Sequence, residues 1–368
     1  MIVALDAMGG DNAPDVNVEG AIEAIRETDD IEVILVGNKD VLTEKLHARL
    51  HMKDMATKAT ANMLDSKRIT IRHSSEVVEM NEAATLALRK KKDSSIRVAV
   101  DLVKSGEANA VVSAGHSGVA MTTALLYLGK LSGVDRPAIG VVMPTLNGRF
   151  LLIDSGANVD CKPVNLLQFA YMGSAYVKTV FAEKSPRIGM ISIGEEDTKG
   201  NELTKEAFKL LKDSNLNFVG NIEGKDVFFD TADVVVCDGF IGNTVLKLSE
   251  GLSDVFMKML KRELSSLWFG KLSYLLLRPA IRNFKKLMNY EEYGGAPLLG
   301  IDGTCIISHG RSTAKAIRNA IKVANKLAKN NLHKQISEEL SSINCSSING
   351  KELLNVNCKY KEKEFVKG

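Results

Sequence analysis

The sequence predicts an α/β fold built on a largely parallel sheet, and two observations carry that expectation. Short runs rich in Val, Ile and Leu recur along the chain, separated by longer segments with helical patterning. Several of the runs are apolar at every position, as in strands covered on both faces. Alternation of strand and helix on this scale is the pattern of βα units.

The first strand is expected at residues 2–5 (IVAL), with a helix at 14–26 after a Gly-containing turn. Strands at 32–36 (EVILV) and 69–71 (ITI) precede a helix at 82–91, whose basic end, Arg89 to Lys92, suits the negative pole of a helix dipole. A strand at 110–113 (AVVS) leads into a helix at 119–128, and strands at 139–142 and 150–153 lead into a helix at 164–181. Strand 187–193 and helix 202–212 form the next unit, followed by a strand at 234–237 (VVVC). Strand 305–307 (CII) and helix 313–327 close the pattern. Two regions break it. Residues 252–293 read as a long helical stretch interrupted by Gly270 and Pro279, which predicts a helical hairpin inserted into a single domain spanning residues 1–343. Residues 344–368 are polar and Asn/Lys-rich, and are expected to form a weakly ordered tail.

Composition narrows the function. The chain has 368 residues, 45% of them hydrophobic, which excludes disorder as the dominant state. Its 48 Lys and Arg against 45 Asp and Glu leave a formal charge of +3, so nothing global argues for nucleic acid. Five scattered cysteines without a C-x-x-C pair argue against a disulfide framework or a zinc knuckle. No signal-peptide pattern opens the chain, and no uncharged apolar run approaches the ~20 residues of a membrane span. A reducing cytoplasm is the expected setting.

Five turns share one design, in which a strand ends, a polar turn containing glycine follows, and a helix begins. They fall at residues 5–14, 112–118, 193–202, 237–244 and 307–313. In an open parallel sheet, such turns gather at the carboxyl edge, where ligands bind. Glycine allows close backbone approach, and helix starts favour anions. Five turns at one edge, two with Gly-x-x-Gly spacing, point to phosphate or a phosphorylated ligand. There is no G-x-x-x-x-G-K-[ST], no G-x-G-x-x-G after a strand and no G-x-S-x-G elbow. The adjacent His116 and Ser117 read first as a cap. Asp6, Asp11, Asp154, Glu195, Glu196, Asp197 and Asp238 lie near strand ends, where acids cap helices or orient cations more often than they hold Mg²⁺. No metal is expected.

The longer motifs carry a resemblance. LDAMGGD (5–11), SAG-x-x-G (113–118), GANVDCKP (156–163), LLQFAYMG (166–173), GEEDTKGNELTKEAF (194–208), CDGFIGNTVLK (237–247), YGGAPLLG (293–300) and SHG (308–310) resemble the bacterial phosphate acyltransferase family. The match runs in order from residue 1 to about residue 330. It implies a three-layer α/β/α Rossmann-like sandwich, related to phosphotransacetylases and isopropylmalate dehydrogenases and working as a homodimer. The implied activity is transfer of a fatty acyl group from acyl carrier protein to inorganic phosphate for phospholipid synthesis, with no cofactor. Departures are His116 and Ser117 where the family has Asn and Thr, extra length at residues 47–64, and the tail.

Phosphate is itself the nucleophile in that reaction, so the chain needs to position it and stabilise an oxyanion. Lys199, beside Gly200 at a helix start, is expected to neutralise phosphate, although a solvated lysine is the plain alternative. Asn243 is expected to donate to the oxyanion, with an ordinary N-cap as its alternative. The expected substrate-binding positions are Asp6, Gly9, Gly10 and Asp11 in the first turn and Gly115, His116, Ser117 and Gly118 in the second. Gly200 with Asn201, Gly239 with Gly242, and His309 complete the set, His309 equally suiting a cap. Residues 89–92 suggest a docking patch for an acidic acyl carrier protein, or merely a solvated helix end. Between residues 255 and 288, eight Lys or Arg accompany one acid, Glu263, and an apolar group that includes Trp268, Phe269, Tyr274 and Leu276. That mixture suggests a seat on the cytoplasmic face of the cell membrane, near a membrane acyltransferase that accepts the product, or else the dimer interface. Two rival readings are a short-chain phosphotransacylase using coenzyme A and a non-catalytic membrane-associated scaffold.

Overall fold

Each of the nine apolar runs forms a strand, and each of the six predicted helices forms within a few residues of its expected limits. The computed structural model describes residues 1–51, 68–82, 84–266, 276–279, 281, 282, 284 and 293–343. The first half runs β1 (Ile2–Asp6), α1 (Asp15–Glu27), β2 (Glu32–Gly37), α2 (Lys39–His51), β3 (Ile69–His73), α3 (Ala84–Lys90), α4 (Ser95–Lys104), β4 (Ala110–Ser113) and α5 (Ser117–Tyr127). The centre comprises β5 (Ala138–Pro144), β6 (Arg149–Ile153), α6 (Pro163–Phe181), β7 (Ile188–Ile191), α7 (Glu202–Lys212), β8 (Phe218–Ile222) and β9 (Val234–Val236). The remainder is α8 (Gly239–Ser266), β10 (Ala296–Leu299), β11 (Cys305–Ile307), α9 (Ala314–Lys329) and α10 (Leu332–Ser341).

The strands form one sheet in the order β3-β2-β1-β4-β11-β10-β5-β6-β9-β7-β8. Side chains alternate between its faces. Val3, Leu5 and Val112 meet α1, α6 and α9 on one face, while Ala4 and Val111 meet α3, α4 and α5 on the other. Phe150, Leu152 and Val235 continue that second face beneath the first turns of α8. Burial on both faces is why the strands are apolar throughout, and the result is the expected three-layer sandwich with a mostly parallel sheet.

One expectation is corrected. The five turns do not share an edge, because the pairings β11–β10, β10–β5 and β5–β6 are antiparallel and reverse the strand sense across the sheet. The two parallel halves point toward each other. Ile307 pairs with Ala296, Leu298 with Ile139, and Gly140 with Ile153. The carboxyl ends of β11 and β6 therefore finish about one residue's rise, ~3.4 Å, from a common level. Opposed turns meet over the middle of the sheet.

Residues 252–266 of the predicted hairpin belong to α8, which starts at Gly239 and runs for 28 residues. Trp268, Phe269, Leu272, Tyr274 and Leu275 lie outside the described residues, as do residues 344–368 and most of the extra length at 47–64.

Candidate functional site

A pocket of about 270 Å³ lies where the two halves converge. One side is the start of α5 at Ser117 and the turn after β11, with Ser308, His309 and Ser312. The opposite side is the turn after β6 and the inner face of α8. Asn243, Leu246, Lys247 and Glu250 line it at helical spacing, and Lys247 pairs with Glu250 at 3.0 Å. Ile139 and Val141 of β5 supply an apolar wall.

The first side is built by three touching turns. Asp6 is buried, and the Ser113 hydroxyl donates to its carboxylate at 2.7 Å. Burial pushes the Asp6 carboxyl above its ordinary range, and the Ser113 hydrogen bond opposes this. Asn17 ties down the 7–9 turn through its side-chain amide, which donates to the carbonyls of Ala7 and Gly9 at 3.0 Å each. A Cβ on Gly9 would lie 2.5 Å from the Asp6 carboxylate and 2.8 Å from the Gly115 nitrogen. Gly10, at φ +110°, faces the Ala114 and Gly310 carbonyls, and Asp11 donates its N–H to Gly310 at 2.8 Å. These four first-turn positions and Gly115 are expected to face substrate. The structure uses them to join turn to turn, with Gly9 and Gly10 placed where an added Cβ would meet neighbouring atoms.

His116 is the N-cap of α5. Its Nδ1 accepts from the N–H groups of Gly118 at 3.1 Å and Val119 at 3.4 Å, so it and Gly118 build the helix start that carries Ser117 to the pocket. His309 Nδ1 accepts from the Arg311 N–H at 3.1 Å, bracing the 308–312 turn.

The second side depends on Asp154, which is fully buried. Its Oδ1 accepts from Ile139, Gly156 and Ala157, and its Oδ2 from the backbone and side-chain amides of Asn158, all within 3.3 Å. Burial raises this carboxyl, and those donors oppose the rise. Gly239 and Gly242 were expected to bind substrate. Here they let α8 rest on the fixed turn, since a Cβ on Gly242 would sit 1.9 Å from the Asp154 carbonyl oxygen. Asn243 is not an N-cap, because Asp238 fills that role by accepting from the Ile241 N–H at 2.9 Å. Asn243 stands in the helix proper and faces the pocket.

Lys199 is exposed and does not line the pocket. Its turn follows β7, the hydrogen-bonded neighbour of β9, so it shares the edge from which α8 starts. Asn201 caps α7 by accepting from the Thr204 N–H at 2.9 Å. Gly200, at φ +113°, completes that turn. Among the described residues, no group of His, Cys, Asp and Glu is arranged to hold a metal ion.

The family model described as "Fatty acid synthesis protein" matches residues 1–335. A phosphate acyltransferase from Thermodesulfovibrio yellowstonii is 55% identical over 339 residues, covering 92% of this chain and 94% of its own. One from Geobacter sulfurreducens is 52% identical over 342 residues, covering 93% and 95%. The chain belongs to the phosphate acyltransferase family. It is an acyltransferase of lipid biosynthesis. A phosphotransacetylase from Streptococcus pyogenes superimposes with a TM-score of 0.57 at 18% identity, over 90% of this chain and 94% of its own, a likeness of fold.

Within this family member, sequence reasoning missed Lys247, Glu250, Ser155, Ser308 and Ser312 as pocket residues. Helical spacing from Asn243 was the signal for the first two. Ser308 and Ser312 lie in the 307–313 turn, whose glycine and His309 drew the reading, and Ser155 carried no signal because its place opposite that turn depends on the reversal of strand sense.

Proposed function

We propose that this acyltransferase moves a fatty acyl group from acyl carrier protein to inorganic phosphate, releasing acyl phosphate. The observation that carries the reading is the pocket, with polar groups at helix starts on one side, Asn243 on the other and an apolar β5 wall between them. A phosphate oxygen attacks the thioester carbonyl carbon. The resulting tetrahedral oxyanion collapses, the C–S bond breaks, and the carrier leaves as a thiolate that takes a proton from solvent. Direct attack is supported by the described cysteines. Burial and the nearby Asp154 and Asp238 push the Cys161 thiol up to about 12, and burial raises Cys237 and pushes Cys305 to about 12, so none of the three presents a thiolate nucleophile. Asn243 donates its side-chain amide to the oxyanion. Lys199 reaches from the adjoining turn as a point charge for phosphate.

The carrier docks on Arg89, Lys90 and Lys92, which are exposed at the end of α3. Lys91 is held by Glu82 and the Val77 carbonyl and takes no part. The start of α3 lies beside α5, since Ala84 is 4.0 Å from a Cβ built on Gly118, so the patch is about 10 Å, one short helix, from the pocket rim.

Among the described residues, no helix is long and apolar enough to cross a membrane. On α8, Leu248, Leu252, Val255, Phe256 and Met259 are exposed along the face opposite the pocket. With the basic residues of 252–293, that face supports a peripheral seat on the cytoplasmic side of the membrane, close to a membrane acyltransferase that consumes the labile product. A homodimer interface is the competing use.

Trapping acyl phosphate with hydroxylamine tests the activity, and supplying acyl carrier protein or coenzyme A thioesters in parallel tests the donor. Faster turnover with coenzyme A would replace the carrier in this scheme, and no trapped product at all would leave only a scaffold. Asn243→Ala should lower kcat more than it raises the KM for phosphate, and Lys199→Ala should cost about a hundredfold in rate.

A further inference from the structure

Two hydroxyls in the pocket have no partner. Ser308 is 4% exposed and Ser312 is 2% exposed, and neither side-chain oxygen makes a hydrogen bond. Buried polar groups are almost always paired, so two orphans in one five-residue turn require an explanation. Their backbone is fully determined. The Ser308 N–H donates to the Ser113 carbonyl at 2.8 Å, and the Ser312 N–H to the His309 carbonyl at 2.9 Å. Both residues line the pocket, and a Cβ on Gly295 would come within 2.9 Å of the Ser308 hydroxyl, so only glycine fits beside it.

The surroundings select the chemistry of the missing partner. α9 begins directly after Ser312, and α5 begins at Ser117 on the same pocket wall. Both are long enough to present a positive pole, which favours an anion. The helix-start N–H groups of Gly118, Val119 and Ala316 are already capped by His116 and Thr313. Ser308 and Ser312 add two hydroxyl donors in the field of these two helix dipoles. An acyl chain fits the β5 wall and would leave both hydroxyls orphaned.

We propose that Ser308 and Ser312 bind the attacking inorganic phosphate, their hydroxyls donating to its oxygens between the starts of α5 and α9. The assignment rests on the activity proposed above. It puts the nucleophile across the pocket from Asn243, so that the thioester carbonyl is held between the two.

The test uses the full chain with Ser308→Ala and Ser312→Ala made separately. Each should raise the KM for phosphate about tenfold or more, the usual loss for one hydrogen bond to a charged group, and leave the KM for the acyl donor unchanged. Without phosphate, each variant should melt at or above the wild-type temperature, because an unpaired buried hydroxyl has been removed. The stabilisation that added inorganic phosphate gives the wild type should shrink in both. A merely structural serine would lower the melting temperature and leave the phosphate response intact, which would overturn the assignment. A rise confined to the donor's KM would also overturn it, giving the serines to the phosphodiester of the donor's prosthetic arm. A wild type that makes no acyl phosphate overturns the activity and this subsite together, whereas active variants with a normal phosphate KM overturn the subsite alone.

Discussion

Replacing Gly242 by alanine separates positioning from folding at this site. The added Cβ would lie 1.9 Å from the Asp154 carbonyl oxygen and 2.9 Å from its carbon. That backbone cannot yield easily, since five N–H contacts fix the Asp154 carboxylate. Restoring an ordinary 3.4 Å contact requires α8 to move by about 1.5 Å. The overlap costs about 1–3 kcal/mol, and exchanging a helical glycine for alanine returns about 0.5–1 kcal/mol, so the net loss of stability should be modest. Activity should suffer far more. Asn243 is the next residue, and a displacement of about 1 Å costs on the order of a hundredfold in rate. Gly251→Ala, in the same helix with no atom within 4 Å of the new Cβ, is the matched control. It should gain about 0.5–1 kcal/mol and keep full turnover. Urea unfolding and hydroxylamine-trapped acyl phosphate measure the two effects. A Gly242→Ala variant with wild-type kcat would refute the claim that the Asp154 turn positions α8.

Three further experiments have defined outcomes. His116→Ala should cost about 1 kcal/mol in urea unfolding through loss of the α5 cap, while His116→Asn should hold stability, since Asn caps at least as well. Asp6 has a folded-state pKa raised above 3.8 by burial, so the folded chain binds more protons and stability falls as pH rises from 3.8 through that raised value. Asp6→Asn should remove that part of the slope, and identical pH profiles for variant and wild type would contradict it. Leu252→Asp with Phe256→Asp should abolish co-sedimentation with anionic vesicles while leaving activity and the wild-type oligomeric state unchanged, and a loss of oligomeric state would give this face to an interface between copies instead.

Much of the fold was legible because burial on both faces makes strands uniformly apolar. The exceptions have physical reasons. β8 (FVGNI) lies at the sheet edge with Phe218 and Gly220 only half-buried and Val219 exposed, so its pattern is diluted. β10 contains Pro297 and runs against its neighbours, which a reading based on parallel units does not anticipate. α4 does carry a helical stripe, with Ile96, Ala99 and Val100 buried, but its ten residues are short for a pattern judged by length. At the site, glycine spacing was read as ligand approach, whereas Gly9, Gly239 and Gly242 accommodate neighbouring backbone and carboxylate. Sequence cannot separate those two uses, because both require a missing Cβ.

The reversal of strand sense at β10 and β5 gives the site its asymmetry. In a wholly parallel sheet, all five turns would stand in a row and present one kind of surface. Here the turns after β1, β4 and β11 bring capped helix starts and orphan hydroxyls, suited to a small anion. The turns after β6 and β9 bring a helix face carrying Asn243 and Leu246, suited to a carbonyl and the start of an acyl chain. Reaction between a charged nucleophile and an apolar acyl group needs two such environments within a few ångströms of each other. Two opposed half-sheets, each locked by one buried aspartate, hold them at that separation.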